Sequence, residues 1–268
     1  MTLDEFWEFE RTGWERAAPR YEACWGDTSE FVERLLDAAR VGQGTRLLDI
    51  ACGPGYVSGA AATRRAEPVG LDVAEAMIER ARARHPGLSF MTGDAQQLPL
   101  EDASFDAATM NFGILHLSKP ERALAEARRV LVPGGWFAFT AWVSEGNAVA
   151  EIVDEAVAEH AAPVELPDGP PFYRFSDQDA CRAELGAAGF ATETVEIKTV
   201  TAVWNIAAPD LLFEAELNAG VRTAAVLRAQ PPERLKAIRE AITEGVRRRA
   251  EGDGYALPLV ARVIDAQA

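Results

Sequence analysis

The sequence predicts an α/β fold with a parallel sheet and helices on both faces, and three observations predict it. Short apolar runs alternate with longer helix-forming stretches from about residue 44 to 143, the pattern of βαβ units. The first run enters a glycine-bearing turn, Cys52-Gly53-Pro54-Gly55, that opens a helix. The chain has 268 residues, 48% apolar and 26% charged, an ordinary globular balance that permits one sizeable core.

In chain order, residues 1–40 read as helical and aromatic. Trp7, Trp14 and Tyr21 are spaced seven apart and Trp25 four further on, so one helix face can carry them if Pro19 is accommodated. The strand-like runs are Thr45–Ile50, Glu67–Leu71, Leu88–Met91, Phe105–Asn111 and Trp136–Trp142. Between them Tyr56–Arg65, Ala74–His85 and Pro120–Val130 are rich in alanine, arginine and glutamate, which favour helix. Ser118-Lys119-Pro120-Glu121 has the spacing of a capping box, and Pro133-Gly134-Gly135 reads as the stop of that helix. Residues 144–190 hold two helical stretches around a loop with Pro163, Pro167, Pro170 and Pro171. Glu193–Trp204 alternates like a strand, 209–250 looks helical, and Ala256–Ile264 is apolar enough for a last strand.

Composition excludes several function classes. Asp and Glu outnumber Lys and Arg by 42 to 27, a net charge of −15, which repels a phosphate backbone, so no nucleic-acid partner is expected. The basic run Arg247-Arg248-Arg249 reads as a solvated helix face. Cys24, Cys52 and Cys181 are an odd number without metal-ligand spacing, so neither a disulfide framework nor a bound metal is indicated. No membrane span or signal peptide is evident, and we read a cytoplasmic chain.

The chemistry concentrates after the first strand. In Leu47-Leu48-Asp49-Ile50-Ala51-Cys52-Gly53-Pro54-Gly55, glycines let the backbone approach a ligand, and the helix start behind them favours negative charge. Asp72 ends the second strand, where an acid can accept both hydrogen bonds of a ribose diol. Its plainer alternative role is a helix N-cap with Glu75. These two features also suit a nicotinamide dinucleotide site.

Taken with three further segments, the chain resembles the class I S-adenosylmethionine-dependent methyltransferases, in particular the branch of ubiquinone and menaquinone methyltransferases. The matching segments are Leu48–Gly55, Gly70-Leu71-Asp72, Gly93-Asp94-Ala95 with Leu98-Pro99-Leu100, Ser104-Phe105-Asp106, and Arg129–Gly135. The resemblance implies a Rossmann-like, doubly wound sheet of seven strands, mostly parallel with an antiparallel last strand, and helical lid segments. It implies S-adenosylmethionine as cofactor and S-adenosylhomocysteine as product. By the same resemblance Asp49 supports the glycine loop and the methionine amino group, Ala51 and Gly53 offer backbone contacts beside Gly55, and Asp72 holds the ribose. Asp94 and the Ala95 amide would read the adenine, Val73 and Met77 would pack on it, and Asn111 would lie near the sulfonium. Asp94 as a turn residue and Met77 as plain helix core are the bland readings.

A sulfonium methyl is already electrophilic, so such a site needs no nucleophilic side chain; it must align an acceptor, exclude water and, if required, take a proton. His116, just past the fourth strand, is the candidate base, or else it packs at a helix start or bonds the cofactor carboxylate. Tyr21 and Trp25 are candidates to close over the sulfonium, and Phe172-Tyr173-Arg174-Phe175 and Trp204 to line an acceptor pocket. After the fourth strand, Asn111-Phe112-Gly113-Ile114 lacks the Asn/Asp-Pro-Pro-aromatic sequence of amide and exocyclic-amine methylation, which favours a small organic methyl acceptor. A nicotinamide-dependent oxidoreductase and a non-methylating member of the fold are the alternatives. We divide the chain into a lid at 1–40, a core at 41–205 and 251–268, and a helical insertion at 206–250 that completes the lid.

Overall fold

The computed structural model describes residues 2–24 and 29–268. Its elements in order are α1 (Leu3–Cys24), α2 (Ser29–Ala38), β1 (Arg46–Ile50), α3 (Tyr56–Thr63), β2 (Glu67–Asp72), α4 (Glu75–Arg84), β3 (Ser89–Thr92) and β4 (Phe105–Met110). A 3-10 turn (Gly113–His116), α5 (Pro120–Val130), β5 (Leu131–Trp142), α6 (Ala148–His160), a second 3-10 turn (Arg174–Ser176) and α7 (Gln178–Ala187) follow. The chain closes with β6 (Ala191–Ile206), α8 (Leu211–Ala219), α9 (Arg222–Arg228), α10 (Pro232–Arg247), β7 (Ala250–Glu251) and β8 (Gly254–Gln267).

The sheet runs β3-β2-β1-β4-β5-β8-β6, with the two-residue β7 hairpinned onto β8. β1 to β5 are parallel, and β8 inserts antiparallel between β5 and β6. This is the expected doubly wound, Rossmann-like sheet; the short β7 is an addition. Leu47, Leu48, Asp49 and Ile50 of β1 are all fully buried, as a strand covered on both faces must be. Alternation divides their side chains. Leu47, Ala107, Ala138 and Val263 face α2 and α3, while Leu48, Ala108, Phe137 and Ile264 face α5 and α7. Chain order reverses between β1 and β4, and a crevice for a ligand opens at the carboxyl ends of such a pair.

Beyond the sheet edge, β6 and β8 continue as a two-stranded ribbon in which Trp204 pairs with Leu257. Trp204, Leu257 and Leu259 pack there with Ile152, Phe213, Ile238 and Ile242 from α6, α8 and α10. Trp204 is therefore buried in this second core, not free to line an acceptor pocket. Phe175 is likewise buried, edge-on to Phe139.

Several local expectations are corrected. Residues 209–250 form three helices, broken at Gly220 and at Pro231-Pro232. α5 stops at Val130, ahead of Pro133; Pro133-Gly134-Gly135 lies inside β5, where the register with β4 shifts and Gly134 has φ +82°. No side chain caps α5. The Ser118 hydroxyl instead donates to Gln96 Oε1 at 2.9 Å, so the capping box does not form. α2 packs on the sheet beside α3, with Leu35 and Leu36 fully buried there, while its buried Phe31 meets Phe112 edge-on. Pro19 sits on the exposed side of α1, which continues through it to Cys24.

Candidate active site

The site begins with strand ends that must turn sharply. Ala51, Gly53 and Gly55 after β1 have φ of +54°, +52° and +83°, and Phe112 after β4 has +59°. Backbone in this region is costly for non-glycine residues and persists where the surroundings impose it. The two turns touch: a Cβ on Gly113 would come 2.5 Å from the Ala51 Cβ. Above Gly53 a Cβ would meet nothing within 4 Å, so its face is open to a ligand. Gly55 serves a different need, since its Cβ would press on His85 and Phe90 at 3.1 Å beneath the loop.

Asp49 is the charged residue buried in β1. Its Oδ2 accepts from the Ser58 amide at 2.9 Å and the Ser58 hydroxyl at 2.6 Å, pinning the first turn of α3 to the strand. Burial pushes its carboxyl up to about 7, with the nearby Asp72 charge adding to the shift and the Ser58 hydrogen bonds opposing it. Asp72, also buried, accepts from Gly53 N and from Ala74 N, each at 2.9 Å. It therefore ties the glycine loop to the end of β2 and does not cap α4, whose N-cap is Ala74. Burial raises its carboxyl too. Two carboxylate oxygens offer about four lone-pair sites, so these backbone donors leave capacity for a diol.

The next loop is cross-braced. Asp94, half-buried, accepts from Gln96 N at 2.8 Å. Gln96, buried, accepts through Oε1 from the Ser118 hydroxyl and from Lys119 N at 2.7 Å. Ala95 is buried in the core beneath. Asn111 accepts from the Thr140 hydroxyl at 2.8 Å, and Thr140 in turn accepts from Phe112 N at 2.7 Å. Phe112 stacks on Trp142 at 3.8 Å.

α1 roofs this edge. Trp14, Ala18 and Tyr21 pack over Ala74 and Met77, while Val73 is half-buried. Asp49, Ala51, Gly53 and Asn111 share a cleft of about 40 Å³ with Tyr21 and Tyr56. Burial, with Tyr56 and Asp72 nearby, raises the Tyr21 phenol. Trp25 lies outside the described residues, and Trp7 instead lies under the Arg11 guanidinium, 5.8 Å from its ring. A larger groove, about 570 Å³, lies between α1 and α9 and shares no residue with the cleft.

His116 sits at the end of the 3-10 turn with Nδ1 3.0 Å from Glu10 Oε2 on α1. Trp14 meets its ring edge-on at 4.7 Å and Phe172 at 5.9 Å. His85 and His160 end α4 and α6 as expected, although His85 also wedges under Gly59, where a Cβ would come within 2.3 Å of its ring.

Residues 48–139 match the family model described as a methyltransferase domain. A demethylmenaquinone methyltransferase from Clavibacter sepedonicus is 35% identical over 174 residues, 59% of this chain and 70% of that protein. The chain belongs to the class I S-adenosylmethionine-dependent methyltransferases. A second demethylmenaquinone methyltransferase, from Renibacterium salmoninarum, is 37% identical over 123 residues, 44% of this chain and 52% of that protein. The chain thus spans about half the length of this relative and of a third demethylmenaquinone methyltransferase, from Paenarthrobacter aurescens, 52% and 51%. The fold of the Haemonchus contortus phosphoethanolamine N-methyltransferase, solved with phosphomonomethylethanolamine and S-adenosylhomocysteine, superposes with a TM-score of 0.58 at 17% identity, covering 100% of this chain and 60% of that one. Membership of this methyltransferase family sets aside the nicotinamide reading, and S-adenosylmethionine is its cofactor.

The residues present fit that cofactor. An open glycine face, a buried acid with spare acceptor capacity at the end of β2 and a second acid in the following loop are the groups that suit a nucleoside attached to an amino acid. Sequence reasoning missed Glu10, Glu15, Ser58, Gln96 and Thr140. Of these, Ser58 and Thr140 carry no signal beyond lying in the right helix and strand, and Glu10 and Glu15 lie outside every recognised motif.

Proposed function

We propose that this methyltransferase moves the sulfonium methyl of S-adenosylmethionine to an O, N or C atom of a small organic metabolite by in-line displacement. The observation that carries the reading is the convergence, at the β1–β4 switch point, of the open Gly53 face with Asp49 and Asn111, next to Asp72. When bound, the cofactor supplies an electrophilic methyl on sulfur. Asp72 would hold the ribose diol, Asp94 and the Ala95 amide would read the adenine edge, Val73 and Met77 would flank its ring, and Asp49 with the Ala51 and Gly53 backbone would hold the amino-acid end. Gly55 keeps the loop close to the sheet, Asn111 would face the sulfonium end, and Tyr21 lines the same cleft from α1.

The relatives' names point to a quinone-type ring as one acceptor, yet the family-model match stops at residue 139. Acceptor choice therefore rests on α1 and on the segments after β5. Aromatic surfaces there, Trp14 and Phe172 around His116, suit an apolar or aromatic molecule. We keep the three-part division with α2 moved into the core: a lid of α1, a core, and the insertion of α8 to α10, with α1 packing on both α4 and α8.

Calorimetry on ligand-stripped protein tests the cofactor, with heat expected for S-adenosylhomocysteine and none for NADH. Release of labelled methyl into a metabolite panel tests the reaction. Cofactor binding with no methyl transferred to any compound would select the non-methylating reading instead.

A further inference from the structure

Among the described residues Glu10, Glu216 and Asp265 are buried acids that the cofactor site leaves unused, and Glu10 is the one that faces a histidine. Its side chain is 4% exposed against 22% for its partner His116, so the ring is the open member of the pair and the carboxylate the enclosed one. One carboxylate oxygen faces His116 Nδ1 at 3.0 Å, and the other, Oε1, is buried without a hydrogen-bond partner. A buried carboxylate left half-satisfied costs free energy unless a ligand or a role retains it. An ionised carboxylate only accepts, so opposite it a neutral ring carries its hydrogen on Nδ1 and its lone pair on Nε2. Trp14 and Phe172 hold the ring edge-on from two sides, and the 3-10 turn places it directly after β4, at the carboxyl edge where the cleft opens.

We propose that Glu10 is a positioning residue that fixes the His116 tautomer, and that the pair accepts the proton of a protic acceptor, one bearing O–H or N–H on the atom to be methylated. The inference rests on the methyl-transfer reading above. The step balances: the S–CH₃ bond breaks with its electron pair staying on sulfur, and an O–CH₃ or N–CH₃ bond forms from a lone pair of the acceptor. The acceptor's proton passes to Nε2, and the resulting imidazolium faces Glu10 until the proton leaves to solvent.

The test uses ¹⁵N-labelled protein saturated with S-adenosylhomocysteine, in which three histidines give ring signals and His116 is identified by its loss in His116→Gln. The wild-type ring is expected as a single Nδ1–H tautomer. Glu10→Gln retains that tautomer because an amide carbonyl still accepts, whereas Glu10→Met, close in volume, lets both tautomers appear. Titration with 2-naphthol and 2-naphthylamine is expected to move the Nε2 signal, and 2-methoxynaphthalene, which has no proton to give, leaves it in place. With labelled cofactor and whichever of the two protic probes is methylated, His116→Gln lowers kcat by about 10²–10⁴ with KM little changed, and Glu10→Asp recovers part of the activity that Glu10→Met loses. An unchanged tautomer in Glu10→Met, an equal response to the capped probe, or no response to either protic probe overturns the proposal. Calorimetry with S-adenosylhomocysteine separates the two levels: normal binding beside any of these failures sinks the Glu10–His116 pairing alone, while absence of binding sinks the methyltransferase reading itself.

Discussion

The carboxylate of Glu15 caps a helix other than its own: its oxygens accept from the amides of Glu75 and Ala76 at 2.8 and 3.0 Å, at the start of α4. Two turns further along α1, Glu22 pairs with Arg80 at 2.9 Å and with Arg84. These polar contacts pin the roof α1 over Ala74 and Met77, beside a small cleft of about 40 Å³. Cofactor entry is expected to lift α1 away from α4. Charged contacts at a partly exposed seam weaken with salt. Glu15→Ala and Glu22→Ala are expected to speed both association and dissociation of S-adenosylhomocysteine several-fold in stopped-flow fluorescence, and added salt should do the same to the wild type. Rates indifferent to both substitutions and to salt would mean that the lid opens elsewhere.

Asp49 gives the site a pH dependence with a definite sign. Its carboxyl, pushed up to about 7 by burial, titrates near 4 in an unfolded chain. Between those values the folded state holds a proton that the unfolded state has shed, so this group's contribution to stability is present at low pH and is lost as pH rises through that window. Buried Glu216, also pushed up to about 7 by burial, acts in the same direction. A ligand ammonium beside Asp49 favours the ionised form, so binding expels the proton. Calorimetry of S-adenosylhomocysteine at pH 6, in two buffers of different ionisation enthalpy, should register proton release, and affinity should climb from pH 5 to 7. Asp49→Asn is expected to abolish the release; an unaltered proton count in that variant would remove Asp49 from the ligand's amino group.

Gly113 is required by space. A Cβ there would lie 2.5 Å from the Ala51 Cβ and 3.0 Å from Met110 Cγ, and the Ala51 Cβ belongs to a rigid left-handed backbone that cannot swing aside. Gly113→Ala should therefore separate the two turns that frame the cleft, costing about 1–3 kcal/mol by overpacking and weakening S-adenosylhomocysteine binding at least tenfold. Gly87→Ala, where a Cβ meets nothing within 4 Å, is the matched control with both properties near wild type. Thermal melts and calorimetry on the pair decide it.

The sheet and the cofactor motifs were legible because both are local. β1 announces itself as an apolar run buried on two faces, and the turn after it needs glycine at Gly53 and Gly55 for backbone reasons that composition exposes. The lid was only half legible. The spacing of Trp14 and Tyr21 correctly placed them on one face of α1, but the pairing of Glu10 with His116 across 106 residues has no local trace, since a single glutamate on a helix reads as solvated. Trp204 misled for the opposite reason: an aromatic on an alternating strand looks available, and nothing in its neighbours tells that β6 and β8 run on past the sheet to form a second core with α6, α8 and α10. Ser118 misled because capping-box spacing is local while its actual acceptor, Gln96, arrives from another loop.

That last substitution of partners yields a sharp comparison. If Ser118 and Glu121 formed a capping box, removing either side chain would loosen α5 alike. Gln96 Oε1 instead receives both the Ser118 hydroxyl and the Lys119 amide, which makes it the junction between the loop after β3 and the start of α5. Gln96→Leu strands two donors in a buried setting and should cost about 1–3 kcal/mol for the first donor left unsatisfied, with part of the second added. Ser118→Ala removes one of the two bonds and should cost about 0.5–1.5 kcal/mol. Glu121→Gln, on the exposed face of α5, should fall within about 0.5 kcal/mol of wild type. Urea unfolding of the three variants ranks them directly, and a Glu121 variant as unstable as Ser118→Ala would restore the capping box and remove Gln96 from its place in the frame of the site.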